Sequence, residues 1–396
     1  MTPDTKRYLS LFLLVLFGIW IKTSTPPEAL DPSAWSLFAI FLTTILSVLF
    51  KLLSILNASV LALAVSILSG ILSPKIAYSG FSKDFILLIV LVFLISKAVH
   101  KSGLGKRLAF HLIKRMGHSP LGLAYATTLS DMFLAPAFPS NTARSGLLYP
   151  IFNGITRACS SHPNDSSRKK IGHYLMMNGI AGISISSTLW LTGMAANLIS
   201  VSIAKQYDVH ITFLSWLGAA SLPAILSIIV IPWILFKVTN PELQETRNIH
   251  ELATNELKTL GPLRFSEKIM TLTFVGMIIA WALSNQFGIN KTAVAFLGLG
   301  LLMLFNILTL KDLQQEGRAL SILIWFGILY TISSQLNEMG FMSYVGRLIA
   351  SPLTGLHWIF VYLGLIFSYV LLHYLFVSQT AHILALFAVF LQIGVN

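Results

Sequence analysis

Two short polar runs stand in the middle of otherwise apolar sequence. The first is Pro139-Ser140-Asn141-Thr142-Ala143 and the second is Val377-Ser378-Gln379-Thr380-Ala381. Each offers hydroxyls, a side-chain amide and backbone groups, and none of its side chains ionises. Groups of this kind bind rather than react. Hydroxyl, amide and backbone N–H groups hydrogen-bond a carboxylate, while hydroxyl, carbonyl and amide oxygens suit Na+. Pro136 and Pro139 end the helical arm before the first run, and a broken helix leaves backbone donors and acceptors exposed at the break. A single run would be explained by a helix cap alone. Two copies at an offset of 238 residues, each inside an interrupted apolar stretch, point to a pair of binding tips.

Neighbouring residues extend the first tip. The segment SSTLWLTGMAANLISVS carries Thr192-Gly193 and Asn197 among apolar residues. Gly193 lets the backbone unwind, and a discontinuous helix there would complete the site; the alternative is a small-residue packing face for neighbouring helices. Arg144 lies two residues beyond Thr142. It either complements the second negative charge of a dianion, or it reaches the cytoplasmic face or pairs with Asp131. His382 is its counterpart beyond the second run, with either an anion or an ordinary hydrogen bond as its partner. Asp131 is the one carboxylate in the arms around the first run, too little by itself for a proton relay.

The chain that must position these groups is built for lipid. Of its 396 residues 55% are hydrophobic and 11% charged, against about 25% charged in a soluble domain. Mean hydropathy is +0.77. This excludes a disordered chain and an ordinary soluble enzyme. The net charge of +12 is spread between apolar blocks and forms no basic domain, so it reports topology and lipid head groups rather than nucleic acid. The single Cys159 excludes an internal disulfide and a cysteine-held metal within one chain. No GxxxxGK[ST], HExxH or paired intramembrane aspartate is present, so a P-loop pump and an intramembrane protease are excluded.

Apolar blocks at 8–21, 34–50, 55–72, 85–99, 175–203, 211–236, 269–287, 293–309 and 319–336 are expected to cross the bilayer. Stretches 119–155 and 352–393 are apolar but interrupted, and read as re-entrant hairpins. With a cytoplasmic N-terminus, nineteen of the 27 Lys and Arg residues fall on the cytoplasmic side and six outside. Lys97 and Arg144 are left inside apolar stretches. A second similarity joins the halves: the stretches 85–112 and 322–349 align at an offset of 237, with Gly103 on Gly340. The expected organisation is therefore an extra helix at 1–33, a first repeat at 34–237, a cytoplasmic linker at 238–268 and a second repeat at 269–396. The first repeat holds an odd number of crossings, so the two are expected to be inverted. By the same symmetry the second repeat would run to roughly residue 474, which leads to the expectation of a truncated, inactive chain.

PSNTAR at 139–144, LTGMAAN at 191–197 and LLHYLFVSQTAH at 371–382 resemble the divalent anion/sodium symporter family, in particular its plastid-type 2-oxoglutarate/malate translocator branch and that branch's bacterial relatives. The resemblance runs over essentially the whole chain. It implies an all-α polytopic membrane protein, an inverted-repeat transporter with two re-entrant hairpins and broken helices, working as a homodimer by an elevator movement. Ser140, Asn141 and Thr142 match one substrate tip, and Ser378, Gln379 and Thr380 the other. Ser140, Asn141, Gly193 and Gln379 match the surroundings of two Na+ sites, with Gln379 replacing the general family's Asn as in the plastid branch. The implied activity is secondary transport of C4/C5 dicarboxylates such as 2-oxoglutarate, malate or succinate. Coupling would be Na+ symport or exchange, with Na+ as a possible coupling ion and no cofactor. Another anion, such as citrate, sulfate or another oxyanion, is the alternative substrate; a truncated non-transporting membrane protein is the other reading. No enzyme activity is expected. The membrane would be a bacterial inner membrane, or a plastid inner envelope in a plant.

Overall fold

The computed structural model describes residues 3–243, 245–351, 355–376 and 378–395. These residues are helical throughout and contain no strand. Five helices are long and apolar enough to cross a membrane: Pro32–Leu49, Asp84–Ser102, Phe213–Thr239, Phe265–Ala282 and Gly317–Glu338. Other expected crossings are shorter. The blocks at 55–72 and 293–309 form the helices Ile55–Leu68 and Lys291–Leu304, each of 14 residues. At 1.5 Å per residue these reach about 21 Å, short of a hydrocarbon core of roughly 30 Å. The block at 175–203 is two helices, Gly172–Leu189 and Ala195–Lys205.

The chain divides into two compact units, and each draws on both halves of the sequence. One comprises Met1–Val90, Ile199–His210 and Arg318–Asn396; the other comprises Leu91–Leu198 and Ile211–Gly317. The division cuts across the repeat boundaries at 34–237 and 269–396. In the first unit, Pro32–Leu49 packs on Pro3–Thr23, Ile55–Leu68 and Phe341–Ala350. Its start is set by Asp31, whose carboxylate accepts from the Ser33 N–H, with Pro32 at the first helical position. Phe38 stacks on Phe341 at 4.3 Å between ring centres.

In the second unit, the segment expected as a linker is a docked helix. Arg247–Leu260 lies along the amphipathic helix Leu104–Met116. Arg107 holds the end of it: Nε and Nη2 donate to the Glu267 carboxylate at 2.7 and 3.0 Å, and Nη1 donates to the Gly261 carbonyl at 2.8 Å. At the other end, Thr246 Oγ1 donates to the Gly117 carbonyl at 2.7 Å, and His250 stacks on His118. Lys97, stranded in an apolar stretch by the topology, reaches Glu316 at 3.8 Å.

The two glycines that align at offset 237 share one backbone conformation. A long apolar helix ends just before Gly103 in one copy and near Gly340 in the other, and an amphipathic helix starts one residue later. Gly103 has φ +82° and ψ 0°; Gly340 has φ +81° and ψ 3°. Both are left-handed, which costs an L residue about 1–2 kcal/mol. A Cβ added at either position meets nothing within 4 Å. Gly103→Ala and Gly340→Ala should therefore each lower stability by about 1–2 kcal/mol from backbone strain alone. Asn at either position should recover part of the loss. Thermal unfolding in detergent measures both.

Candidate functional site

The first tip is two helical arms and the break between them. Pro120–Leu134 starts at Ser119, whose Oγ accepts from the Gly122 N–H, and ends in a tight turn at Ala135–Ala137 around Pro136. Phe138 and Ser140 are extended, and Asn141–Ala158 then begins. Ser140 caps it, its Oγ accepting from the Ala143 N–H at 3.3 Å. Asn141 is half-buried and Thr142 exposed. The second break is Trp190–Met194, between Gly172–Leu189 and Ala195–Lys205, with Gly193 in the middle.

The two breaks lock together. The Ala195 N–H donates to the Pro139 carbonyl at 2.9 Å, and Thr192 Oγ1 donates to the Pro136 carbonyl at 3.0 Å. Trp190 Nε1 donates to the Met132 carbonyl at 2.9 Å. Asn197 Nδ2 closes the second break on itself, donating to the carbonyls of Ser187 at 2.8 Å and Trp190 at 3.0 Å. Backbone groups freed by one break are thus bound by the other, as a water-poor setting requires.

Arg144 sits at the centre of this knot with no exposed surface. Its Nε faces Asp131 Oδ1 at 2.6 Å. Nη1 donates to the Gly193 carbonyl at 3.1 Å. Nη2 reaches the Ile183 carbonyl at 2.9 Å, Ser186 Oγ at 3.1 Å and Asn141 Oδ1 at 3.3 Å. Ser186 in turn donates to Asp131 Oδ2. Of the two partners open to Arg144 in the sequence, a dianion or Asp131, the structure contains Asp131. Ser140, Asn141, Arg144 and Gly193 are brought together in one network, with Thr142 at its exposed edge. Asn178 supports it from below, donating to the Ala124 carbonyl at 3.0 Å and to Thr128 Oγ1 at 3.1 Å. Sequence reasoning missed Ser186 and Asn178. Their only signal is polarity on the helix Gly172–Leu189.

The second tip belongs to the other compact unit. Trp358–His373 ends, and Ser378 caps the next helical turn, Gln379–His382, with Oγ accepting from the Ala381 N–H at 3.4 Å. Ser378 has φ −129° and ψ 126°, against −147° and 121° at Ser140. Val377 lies outside the described residues. Ser378 and Thr380 are half-buried and Gln379 is exposed. Beside them is a crevice of ≈ 20 Å³ lined by Thr44, Leu329, Phe376, Ser378 and Ala381, room for about one water. A π-helical turn, Ile383–Phe387, follows and frees the Leu384 carbonyl, which accepts from Ser333 Oγ at 3.2 Å. Such turns concentrate at functional sites.

Membrane-length apolar helices with uncharged polar runs at their breaks are the architecture of a polytopic membrane transporter. The comparisons agree. The model of the sodium:sulfate symporter transmembrane region matches residues 5–396, and the chain belongs to that family. It is 37% identical over 391 residues to a proposed malate transporter, YflS, of Bacillus subtilis (strain 168), a match covering 98% of this chain and 82% of that one. It is 35% identical over 400 residues to dicarboxylate transporter 2, chloroplastic, of Spinacia oleracea, covering 100% of this chain and 71% of the relative. It is 33% identical over 412 residues to the L-tartrate/succinate antiporter of Escherichia coli (strain K12), covering 98% and 83%.

The Asp131–Arg144 pair gives a direct test of the knot. Arg144→Met and Asp131→Asn should each destabilise the protein by about 3–5 kcal/mol, because each leaves an uncompensated buried charge or strips its partner. The double variant Asp131→Asn/Arg144→Met should lose clearly less than the sum. Unfolding in detergent of all four proteins closes the cycle.

Proposed function

We propose that this chain is a secondary transporter of C4 and C5 dicarboxylates that works by exchange, substrate moving against substrate. The dicarboxylate class rests on the relatives' names together with two uncharged tips whose hydroxyl, amide and backbone N–H groups suit carboxylates. Ser140, Asn141 and Thr142 are the carboxylate-binding groups of one unit, and Ser378, Gln379 and Thr380 those of the other. Arg144 acts through Asn141 and Gly193 as a positioning residue.

One observation favours exchange over Na+ symport. Two of the oxygens expected to hold Na+, Asn141 Oδ1 and the Gly193 carbonyl, already accept from the guanidinium of Arg144. The guanidinium's N–H groups stand where a mobile cation would bind. The second tip, with Gln379 exposed, is where a coupling ion would still find an amide oxygen. We place the protein in a bacterial inner membrane or plastid envelope as a homodimer moving by an elevator step, with the N-terminus in the cytoplasm. The excess of Lys and Arg on that side supports the orientation.

The test is counterflow of labelled malate or 2-oxoglutarate in liposomes, with and without Na+. Uptake should need internal dicarboxylate and be unchanged when Na+ is replaced by K+; Na+-dependent uptake would instead make the protein a symporter. Asn141→Ala should reduce exchange at least about a hundredfold with membrane insertion intact, since the amide's contacts are lost at the tip.

The orientation has its own check. Cysteines introduced as Arg115→Cys and Lys169→Cys should be labelled only from the cytoplasmic side, and Lys205→Cys only from outside; all three positions are exposed. Outside labelling at Lys169→Cys would turn the first pair of arms into a crossing.

A further inference from the structure

The offset that superposes the two tips also superposes the pair behind them. Adding 238 to Asp131 and Arg144 gives Tyr369 and His382. Both pairs are in contact across their arms: Arg144 on Asp131 at 2.6 Å, and His382 on Tyr369 at 4.2 Å between ring centres. One pair carries permanent opposite charges, and its guanidinium is surrounded by acceptors. The other carries no permanent charge. His382 is 3% exposed, and its Nε2 has no hydrogen-bond partner; nor has the buried hydroxyl of Tyr369. A neutral imidazole keeps a lone pair on one ring nitrogen, and an unpartnered Nε2 is a place where a proton can add.

We propose that His382 is a proton-binding site of the transport cycle, which supplies at the second tip the positive charge that a dianionic substrate does not find at the first. This rests on the dicarboxylate reading above. Asp131 cancels the charge of Arg144, so the first tip is neutral overall. Among the described residues no carboxylate pairs with His382; Glu338, at the end of the neighbouring helix Gly317–Glu338, accepts from Gln335 instead. The helix Trp358–His373 brings Tyr369 and His373 to it. The segment Ile383–Val395 holds no titratable side chain, and Pro32–Leu49, which lines the crevice beside Ser378, holds none either. The helix Gly317–Glu338 reaches this segment through Ser333. Phe341–Ala350, packed on Ala388–Val395, carries Tyr344 and an exposed Arg347. A proton on His382 is therefore an uncompensated charge. The ring faces of Tyr369 and Phe376, with centres 4.2 and 5.1 Å away, receive it by cation–π attraction.

The link to substrate is short. The His382 N–H donates to the Ser378 carbonyl at 3.0 Å, one helical turn from the tip. A dianion held at Ser378–Thr380 favours protonation of His382, and by reciprocity protonation favours the dianion. The proton comes from water on the side where substrate enters, adds to Nε2, and leaves when substrate leaves. Exchange remains balanced because each substrate carries its proton in its own direction.

The experiment reads KM for malate counterflow from about pH 6 to about pH 8, where a C4 dicarboxylate is nearly all dianion, in the wild type and in His382→Gln. The wild-type KM should rise at least about fivefold over this range, as expected when a group must take up a proton for substrate to bind. His382→Gln should show a flat profile at the high-pH value. A second readout needs no variant: adding malate to the purified wild type in weakly buffered detergent should take up protons, reported by a pH dye. Absence of proton uptake by a wild type that exchanges malate overturns the inference, as does a His382→Gln protein with the wild-type pH profile. A wild type that exchanges no dicarboxylate at all overturns the transport reading instead.

Discussion

A helix broken inside a low-dielectric slab has loose backbone groups and no water to satisfy them, and the Asp131–Arg144 pair is how this protein meets that constraint. The guanidinium is planar, always charged and carries five donors in a fixed fork. One edge meets a carboxylate; the others meet carbonyls and an amide oxygen from separate elements. Lysine could not do this with one compact ammonium group. The rest of the first tip depends on the arrangement. Asn141 is aimed, Gly193 is held in its turn, and Ser186, which donates to Asp131, accepts from the same guanidinium.

The second compact unit solves another chain-end problem with the same device. Where Arg247–Leu260 stops at Gly261-Pro262, Arg107 binds the exposed carbonyls of Gly261 and Pro262 and pairs with Glu267. Both arginines are less than a tenth exposed, and both answer a carboxylate plus terminal carbonyls. Buried ion pairs contribute little net stability compared with apolar packing, yet removal of one partner is severe. Their use here is geometric. One fixes the two breaks of a binding tip; the other keeps the segment between the sequence halves folded against its neighbour.

The sequence made the helical membrane class legible, because apolar runs and scarce charge leave few alternatives. The breaks around the first tip were legible too, since Pro136, Pro139 and Gly193 mark where a helix must stop. The unwound region at Gly193 lies where the glycine allows it. What could not be read was partnership. Nothing in the spacing of Asp131, Arg144 and Ser186 distinguishes an internal pair from an arginine turned toward substrate, because the choice depends on packing across three elements. The docking of the segment at 238–268 was hidden for a similar reason: its charged residues suit solvent, and the groups that hold it, among them Arg107, Gly117 and His118, lie more than a hundred residues earlier. Hydropathy also overestimated lengths. Ile55–Leu68 and Lys291–Leu304 stop where backbone turns at Gly70 and Asn306 adopt positive φ, although apolar side chains continue beyond them.

Charge arithmetic ties the internal pair to the way such a carrier would run. Moving one elementary charge across a membrane is worth about 2.3 kcal/mol per 100 mV. A dianion on a neutral site therefore meets an electrical barrier in one direction and a drive in the other. A symporter removes the asymmetry by loading cations with the substrate. An exchanger removes it by returning the same charge, so its site can remain neutral without an ion to help. The Asp131–Arg144 pair has this property: it supplies directional donors around the tip while adding no net charge to what moves. The guanidinium also keeps its hydrogen bonds to Asn141 and Gly193 when no ion is near, so the tip does not need a cation to hold its shape. A fixed internal cation matched by a fixed internal anion is thus the economical solution for one-for-one exchange of like-charged substrates.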